Sequence, residues 1–390
     1  MSESDRRRGF AIVAAAFAIV MVGTTLPTPL YPIYQQKLGF SGLTVTVIFA
    51  TYAAGVISAL ILFGNLSDQI GRKRTLLPGL AAAAASAVVF LLANGLAPLL
   101  LGRFLSGVSA GIFTGTATAT LVDLAPAGDG GRAALVATIV NIGGLGLGPP
   151  LAGVMAELLP DPLRLVFIVH LVLVALIGTA LALLVPEPGR QGPLRIRPRG
   201  LEVPEQVRTA FVRAAIAGFA GFAVLGLFTA VAPAFLGQVL GVTNHAAVGF
   251  VVLTIFAGSI IGQLGRRAVS DRAALAGGCA ALIAGMALFV AGIRGGHLVL
   301  VIAAAVVAGA GQGLSFAAGM AMVTAGTPPD RRAATTSSLF VVTYIAISLP
   351  VVGVGLLAQA TDLKVAGTVF GAAVAVLAAI AAATLVREEG

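Results

Sequence analysis

The sequence predicts an all-α membrane protein, with twelve transmembrane helices arranged as two pseudo-symmetric six-helix bundles. Three observations lead to this prediction. The chain of 390 residues is 58% hydrophobic and only 10% charged, with a mean hydropathy of +1.03. Its apolar residues fall into twelve runs, and a bilayer crossing takes about 20 helical residues. Its basic residues collect in alternate gaps between those runs, which is typical of a multi-pass membrane protein.

Each apolar run is predicted to be a helix, because a spanning helix satisfies its backbone hydrogen bonds within itself. The first run follows a basic N-terminus, as in a signal peptide. It is too long for one and leads into further spans, so we expect it to remain as the first helix. The predicted spans, in order, are 9–33, 43–65, 75–94, 97–121, 133–157, 165–185, 210–236, 246–265, 273–293, 297–324, 333–358 and 365–386.

The distribution of Lys and Arg sets the predicted topology. Eighteen of the 24 lie at the termini or in the even-numbered gaps, and a nineteenth, Arg213, lies at the start of the seventh span, beside such a gap. Only four lie in the odd-numbered gaps. Basic residues accumulate on the cytoplasmic side. We therefore expect both termini in the cytoplasm and the protein in the cytoplasmic (inner) membrane. The remaining basic residue, Arg103, falls inside a span.

Composition also excludes several classes of function. The net charge of +9 is scattered over loops in twos and threes, so we expect no nucleic-acid partner. Cys279 is the one cysteine, which leaves no disulfide framework and no cysteine-rich metal site. The sequence lacks a phosphate-binding loop of the G-x-x-x-x-G-K-[ST] type, so ATP drive is not expected. We predict no cofactor, no metal and no enzymatic activity.

A proline-rich and arginine-rich segment divides the chain, and proline-rich polar sequence of this kind acts as a linker. The predicted domains are an N-terminal bundle (1–185), a cytoplasmic linker loop (186–209) and a C-terminal bundle (210–390). The halves resemble each other: Gly64-Asn65-Leu66 recurs as Gly262-Gln263-Leu264. Two such repeats are typical of transporters, with the substrate site near the midplane between them and access that alternates from side to side.

The loop between spans two and three contains the most specific motif, Gly64-x-x-x-Asp68-x-x-Gly71-Arg72-Lys73. Here the chain resembles the major facilitator superfamily, whose signature in this loop is G-x-x-x-D-x-x-G-R-K/R; Gln69 stands where the family usually has a basic residue. The resemblance implies a latch that closes the cytoplasmic side, with Asp68 against the N-terminus of span eleven, where exposed amides favour an anion. Arg72 is predicted to pair with Asp123 at the end of span four.

Two further features resemble the drug:proton antiporter branch of that superfamily. Span five contains Gly144-x-x-x-Gly148-Pro149-x-x-x-Gly153, similar to the G-x-x-x-G-P-x-x-G-G motif of exporters, with Ala152 in place of a glycine. We expect a kinked, closely packed helix there. Arg103 matches an arginine that the resemblance assigns to proton coupling or substrate binding. The alternative is an arginine that snorkels to the outer interface.

The proton-carrying residue is not evident from the sequence. Proton-coupled exporters usually bury a carboxylate in the cavity, and every Asp and Glu here falls at a span end or in a loop. His170, in span six, is the candidate, because histidine titrates near neutral pH. A lone histidine on an apolar helix is more often packed or hydrogen-bonded, so both interpretations stay open.

These features together predict a monomeric secondary transporter in the lipid bilayer, with protons and a small-molecule substrate as its partners. The leading hypothesis is proton-coupled efflux of a small amphipathic or polar organic compound or drug. One alternative is a facilitator or importer of a sugar-like or anionic solute bound by Arg103, and another is a receptor or biosynthetic partner that moves nothing. The predicted polar and aromatic lining of the site is Thr25, Thr28, Asn141, Phe222, Gln312 and Tyr344.

Overall fold

A computed structural model describes residues 3–64, 66–126, 128–187 and 201–386. The side chain of Asp68 and most of the predicted linker 186–209 lie outside the described residues. Over the described ranges, twelve helices are long and apolar enough to cross a membrane, and no strand is found. The twelve predicted spans are therefore confirmed.

Two of the spans are composite, and proline explains both. The first is interrupted after Thr25 by a 3₁₀ turn at Thr28–Leu30, and the seventh contains two π-helical turns around a short α-helical segment that includes Pro233. Proline has no backbone N–H and cannot continue the α-helical bonding pattern. The helices are α1 Glu3–Thr25, α2 Tyr31–Leu38, α3 Gly42–Phe63, α4 Leu66–Ile70, α5 Arg72–Leu91, α6 Leu96–Leu124, α7 Gly130–Leu158, α8 Pro162–Leu184, α9 Arg208–Gly226, α10 Ala232–Ala234, α11 His245–Gly265, α12 Asp271–Gly295, α13 Leu298–Gly326, α14 Arg332–Ala360 and α15 Leu363–Val386.

Several helices are longer than their predicted spans. The helices α6, α7, α13 and α14 each have 29 residues, which corresponds to about 43 Å at about 1.5 Å per residue. This exceeds the roughly 30 Å hydrocarbon core, so these helices are longer than a perpendicular crossing requires. Arg213, which the sequence groups with the cytoplasmic loops, instead lies in the second turn of α9 and is buried.

The first compact unit comprises Met1–Leu30 and Thr51–Gly200. Within it α1 packs on α6, α7 and α8, and α5 packs on α6 and α8. Small residues allow these helices to approach closely: a Cβ atom on Gly107 of α6 would overlap the backbone oxygen of Tyr52 in α3. Membrane helices associate through such packing, since lipid tails are as apolar as the protein interior.

The second compact unit comprises Tyr31–Ala50 and Leu201–Gly390. It includes α2 and the first residues of α3, which the sequence places in the N-terminal half. Within it α9 packs on α13, α14 and α15, and α12 packs on α13 and α15. These are the same pairings, at corresponding positions, as in the first unit. The internal repeat seen in the sequence is therefore present in the packing of each unit.

Candidate functional site

The interrupted end of α1 is the first candidate site. Pro27 and Pro29 cannot donate to the carbonyls of Gly23 and Thr25 four residues earlier. Helix C-termini also have a partial negative charge from unpaired carbonyls. This end of α1 therefore favours a cationic hydrogen-bond donor.

Arg103 of α6 supplies that donor. Its Nη1 donates to the backbone oxygen of Thr24 at 2.5 Å, and its guanidinium carbon lies 4.9 Å from the centre of the Tyr52 ring. Its side chain is only 2% exposed. The helix end and the aromatic face both stabilise a cation, so a carboxylate is not required. Arg103 thus points inward to α1, and the snorkelling alternative does not describe its position.

The predicted antiporter motif of α7 packs on the same end of α1. A Cβ atom on Gly144 would lie 2.6 Å from the Cβ of Met21, and one on Gly148 would lie 2.5 Å from the backbone oxygen of Val22. The hydroxyl of Thr25 donates across this contact to the backbone oxygen of Leu145 at 2.8 Å. The helix continues through Pro149 and Pro150, which are both buried, as is Gly153. The motif therefore forms a close contact between α1 and α7.

The motif in the loop after α3 surrounds the start of α5. Arg72 donates to Asp123 at 2.9 Å, the pairing expected from the sequence, and also to Ser67 at 2.7 Å. Gly71 has φ of 104°, a conformation that only glycine adopts readily, while Gly64 lies in the turn after α3. The side chain of Asp68, the residue expected to close the latch, lies outside the described residues. Its role therefore stays a prediction.

Glu187 completes this cluster, although no sequence motif predicts its position there. Its carboxylate accepts from the backbone N–H groups of Lys73 and Arg74, at 3.1 and 3.2 Å, in the first turn of α5. Lys73 also donates to the backbone oxygen of Val185 at 3.0 Å. An acceptor and a negative charge at a helix N-terminus are both stabilising. Glu187 thus attaches the end of α8 to the start of α5.

We predict that Glu187→Ala destabilises the protein more than Asp123→Asn does. Glu187 satisfies two backbone donors, and loss of a helix cap costs about 0.5–2 kcal/mol. The Arg72–Asp123 pair is partly exposed, at 19% and 40%, and such pairs contribute about 0.2–1 kcal/mol. Thermal unfolding of the purified variants in detergent would measure the difference. A larger loss for Asp123→Asn would contradict this ranking.

In the second unit, the predicted aromatic residues form part of a longer row. Phe222 packs edge-on against Phe316, with ring centres 4.9 Å apart. Phe316 lies 5.9 Å from Phe340, which lies 6.4 Å from Tyr344. All four side chains are partly exposed. The sequence indicated the two ends of this row, Phe222 and Tyr344, and missed the two residues between them.

A buried polar cluster lies beside the aromatic row. The Ser259 hydroxyl donates to Oε1 of Gln312 at 2.6 Å and accepts from Gln263 at 3.2 Å. Gln312 is 1% exposed, and its Nε2 has no hydrogen-bond partner among the described residues. A Cβ atom on Gly221 would lie 2.8 Å from the Gln312 side chain. Since Gln312 and Phe316 are one turn apart on α13, the amide donor and the aromatic row share a helix face.

The remaining predicted residues are less distinctive. Thr28 is buried in the 3₁₀ turn, and Asn141 is partly buried on α7. His170 is 5% exposed, and its imidazole packs directly against Gly23 of α1. No Asp or Glu is buried among the side chains that the structure describes, and none of these residues forms a metal-binding cluster with His or Cys.

Comparison with known sequences identifies relatives named for quinolone resistance and for export. The chain is 28% identical over 140 residues to the quinolone resistance protein NorA of Staphylococcus aureus, a match that covers 36% of each protein. It is 32% identical over 95 residues to the bacillibactin exporter of Bacillus subtilis (strain 168), covering 23% of this chain and 24% of the exporter. The matched segments thus span about a third or less of these relatives.

Solved structures share the fold over nearly the whole chain. A bacterial homologue of the human lysosomal transporter Spinster, in an inward-facing and unoccupied conformation, has a TM-score of 0.76 and 18% identity, covering 99% of this chain and 97% of that one. A POT family transporter in complex with a thioalcohol-conjugated peptide has a TM-score of 0.78 and 14% identity, covering 96% and 94%. The sequence model of the Major Facilitator Superfamily matches residues 13–349. This chain therefore belongs to the Major Facilitator Superfamily, as a multi-pass membrane transporter.

Proposed function

We propose that this protein is a proton-coupled exporter of small, flat amphipathic compounds. The observation that supports this most is the aromatic row of Phe222, Phe316, Phe340 and Tyr344 beside the buried amide of Gln312. Aromatic faces bind flat ring systems. The unpartnered amide nitrogen favours a ligand with a carbonyl or carboxylate oxygen, because a buried donor is costly to leave without an acceptor.

Export as the direction is supported by two independent features. The Gly144 and Gly148 contact with α1 belongs to a motif that resembles that of exporters, and the relatives NorA and the bacillibactin exporter are named for resistance and export. A quinolone, the compound class in the name of NorA, combines a flat ring system with keto and carboxylate oxygens. It therefore has both features that the candidate site favours, and norfloxacin is a suitable fluorescent probe.

We predict that Phe316→Ala weakens norfloxacin transport. An aromatic contact contributes about 0.5–1.5 kcal/mol, so the half-saturating concentration should rise about 2- to 12-fold. Uptake of norfloxacin into inside-out vesicles under an imposed proton gradient would measure it. Phe250→Ala is the matched control, because Phe250 lies in the same unit with its side chain 53% exposed. Equal kinetics for both variants would argue against the aromatic row as the binding surface.

A facilitator is the second candidate, and one observation favours it: the described side chains include no buried carboxylate that could exchange protons. Arg103, the residue proposed to bind solute in that alternative, is 2% exposed and bonded to α1, which gives the alternative less support. A pH-sensitive dye inside proteoliposomes would separate the two functions. Proton flux triggered by norfloxacin supports antiport, and norfloxacin movement without proton flux supports a facilitator.

We also propose a monomer in the cytoplasmic membrane with both termini in the cytoplasm. The bias of basic residues toward the termini and even-numbered loops supports this orientation. Fusion of a green fluorescent protein, which fluoresces when it folds in the cytoplasm, to the C-terminus would test it. A dark, full-length fusion would contradict the proposed orientation.

A further inference from the structure

A small cavity lies within the first unit, among α1, α5, α6 and α8. Its volume is about 10 Å³, which is close to the space that one water molecule requires. Its polar lining consists of three serines and one histidine, and the rest is apolar. The lining residues are Val20, Gly23, Ala83, Ser86, Ala87, Phe90, Ser106, Ser109, Phe167 and His170.

Two polar atoms in this lining have no hydrogen-bond partner within the described ranges. Nδ1 of His170 and the hydroxyl oxygen of Ser106 are buried and have no partner among the described residues. Both side chains are about 95% buried, with 5% of each exposed. Buried polar groups are almost always hydrogen-bonded. These two atoms therefore indicate a ligand that can both donate and accept.

The other two serines determine which ligand fits. Ser86 donates to the backbone oxygen of Gly102, and Ser109 donates to that of Gly79, each at 2.7 Å. Their protons are committed, so their oxygens can only accept from the cavity. One water molecule could accept from Ser106 and donate to Nδ1 of His170 and to a serine oxygen. This satisfies both unpartnered atoms.

We propose that His170 and Ser106, joined by one water molecule in this cavity, form the proton-binding site of the transporter. The proposal rests on proton-coupled export as the function. Nδ1 takes the proton, and the water then turns a lone pair toward the new N–H and donates to the serine oxygens. The proton leaves by the same route, and no covalent bond other than N–H forms or breaks.

The titratable and charged residues around the cavity leave His170 as the group that can bind the proton. The cavity lining contains no other titratable side chain. Arg103 lies one turn from Ser106 on α6 and is engaged by Thr24 and Tyr52. The other charged residues of the four cavity helices and of α7, which also packs on α8, lie in or near terminal turns: Glu3, Asp5, Arg6, Arg7, Arg8, Arg72, Lys73, Arg74, Asp123, Arg132, Glu157 and Arg164.

The position of His170 also links a proton to helix packing. Its imidazole packs against Gly23, one residue before the Thr24 carbonyl that Arg103 binds. Adding a proton places a second positive charge beside this helix end and changes the hydrogen bonds around it. Protonation should therefore alter the packing of α1 against α6 and α8, the kind of change that coupling requires.

The test is His170→Gln in proteoliposomes, with norfloxacin as the substrate and a pH-sensitive dye inside. We expect norfloxacin to move down its own gradient at near the wild-type rate, while substrate-linked proton flux falls at least tenfold. His297→Gln is the matched control, because His297 is exposed at the start of α13. Ser106→Ala should shift the midpoint of the pH profile of transport. This variant tests the proposed proton site if His170→Gln does not fold.

The outcomes are distinct. If His170→Gln shows the wild-type proton flux, the proposed proton site is wrong and export as the function is unaffected. If only Ser106→Ala folds, an unshifted pH profile of transport in that variant leads to the same conclusion. Absence of substrate-linked proton flux in the wild type instead overturns the proposed antiport itself. Loss of proton flux with retained downhill transport supports the site.

Discussion

Gly148→Leu is expected to abolish transport, because it separates two helices that are in backbone contact. Any Cβ atom at this position would overlap the hydroxyl of Thr25 and lie 2.5 Å from the backbone oxygen of Val22. Neither neighbour is the end of a flexible chain that could turn away, so α1 and α7 must move apart. Overpacking of this kind costs about 1–3 kcal/mol and occasionally more. It also breaks the Thr25 to Leu145 hydrogen bond.

The measurement is norfloxacin transport together with thermal unfolding of the purified variant. Gly148→Ala should give a smaller effect in the same direction, since it adds one methyl group. Gly115→Leu is the matched control: this glycine lies on α6 in the same unit, is exposed, and a Cβ atom there meets nothing within 4 Å. Normal transport and stability in Gly148→Leu would show that α1 and α7 do not need this contact.

Arg103→Ala is expected to lower transport by roughly 30-fold or more. The side chain makes a charge-assisted hydrogen bond to Thr24, of a kind that contributes about 1.5–3 kcal/mol, and a cation–π contact with Tyr52 of about 0.5–2 kcal/mol. Together these correspond to a factor of roughly 30 to 5,000 in an equilibrium constant. The substitution also leaves the Thr24 carbonyl at the broken end of α1 without its charged donor.

Arg103→Lys should recover part of the activity, because it keeps the charge but not the planar group that stacks on Tyr52. Arg294→Ala is the matched control, since Arg294 is an exposed arginine at the end of α12. Transport rates and unfolding temperatures of the three variants would be compared. If Arg103→Ala transported as well as Arg294→Ala, the interaction with α1 would have no part in the transport cycle.

The sequence predicted the partner of Arg72 but not the partners of Arg103. Arg72 and Asp123 lie at helix ends, where charged residues are few and solvent is near, so pairing them required only the predicted spans. Arg103 was recognisable as a charge inside a span, but its partners were not. A carbonyl oxygen and a ring face have no charge pattern in the sequence, and Thr24 and Tyr52 lie 79 and 51 positions away from it.

For apolar residues too, the sequence predicted only part of the aromatic row. Phe222 and Tyr344 were predicted as lining, whereas Phe316 and Phe340 were not, although their rings lie between the other two. In a soluble helix, the period of polar residues marks the exposed face. In a membrane the lipid is as apolar as the core, so the pattern does not show which way a given phenylalanine faces.

The sequence by itself determined the class of the molecule: twelve membrane helices, their internal repeat and the family to which they belong. Hydropathy, helix length and the basic residues of the loops are local properties, so each can be determined from consecutive residues in the sequence. The tertiary structure alone decided that Glu187 caps α5, that Gly23 packs on His170, and that Ser106 shares a cavity with them. Those contacts depend on the rotation of each helix about its axis. That rotation is set by packing between distant segments, because a helix that is apolar on all sides has no preferred face until its neighbours are in place.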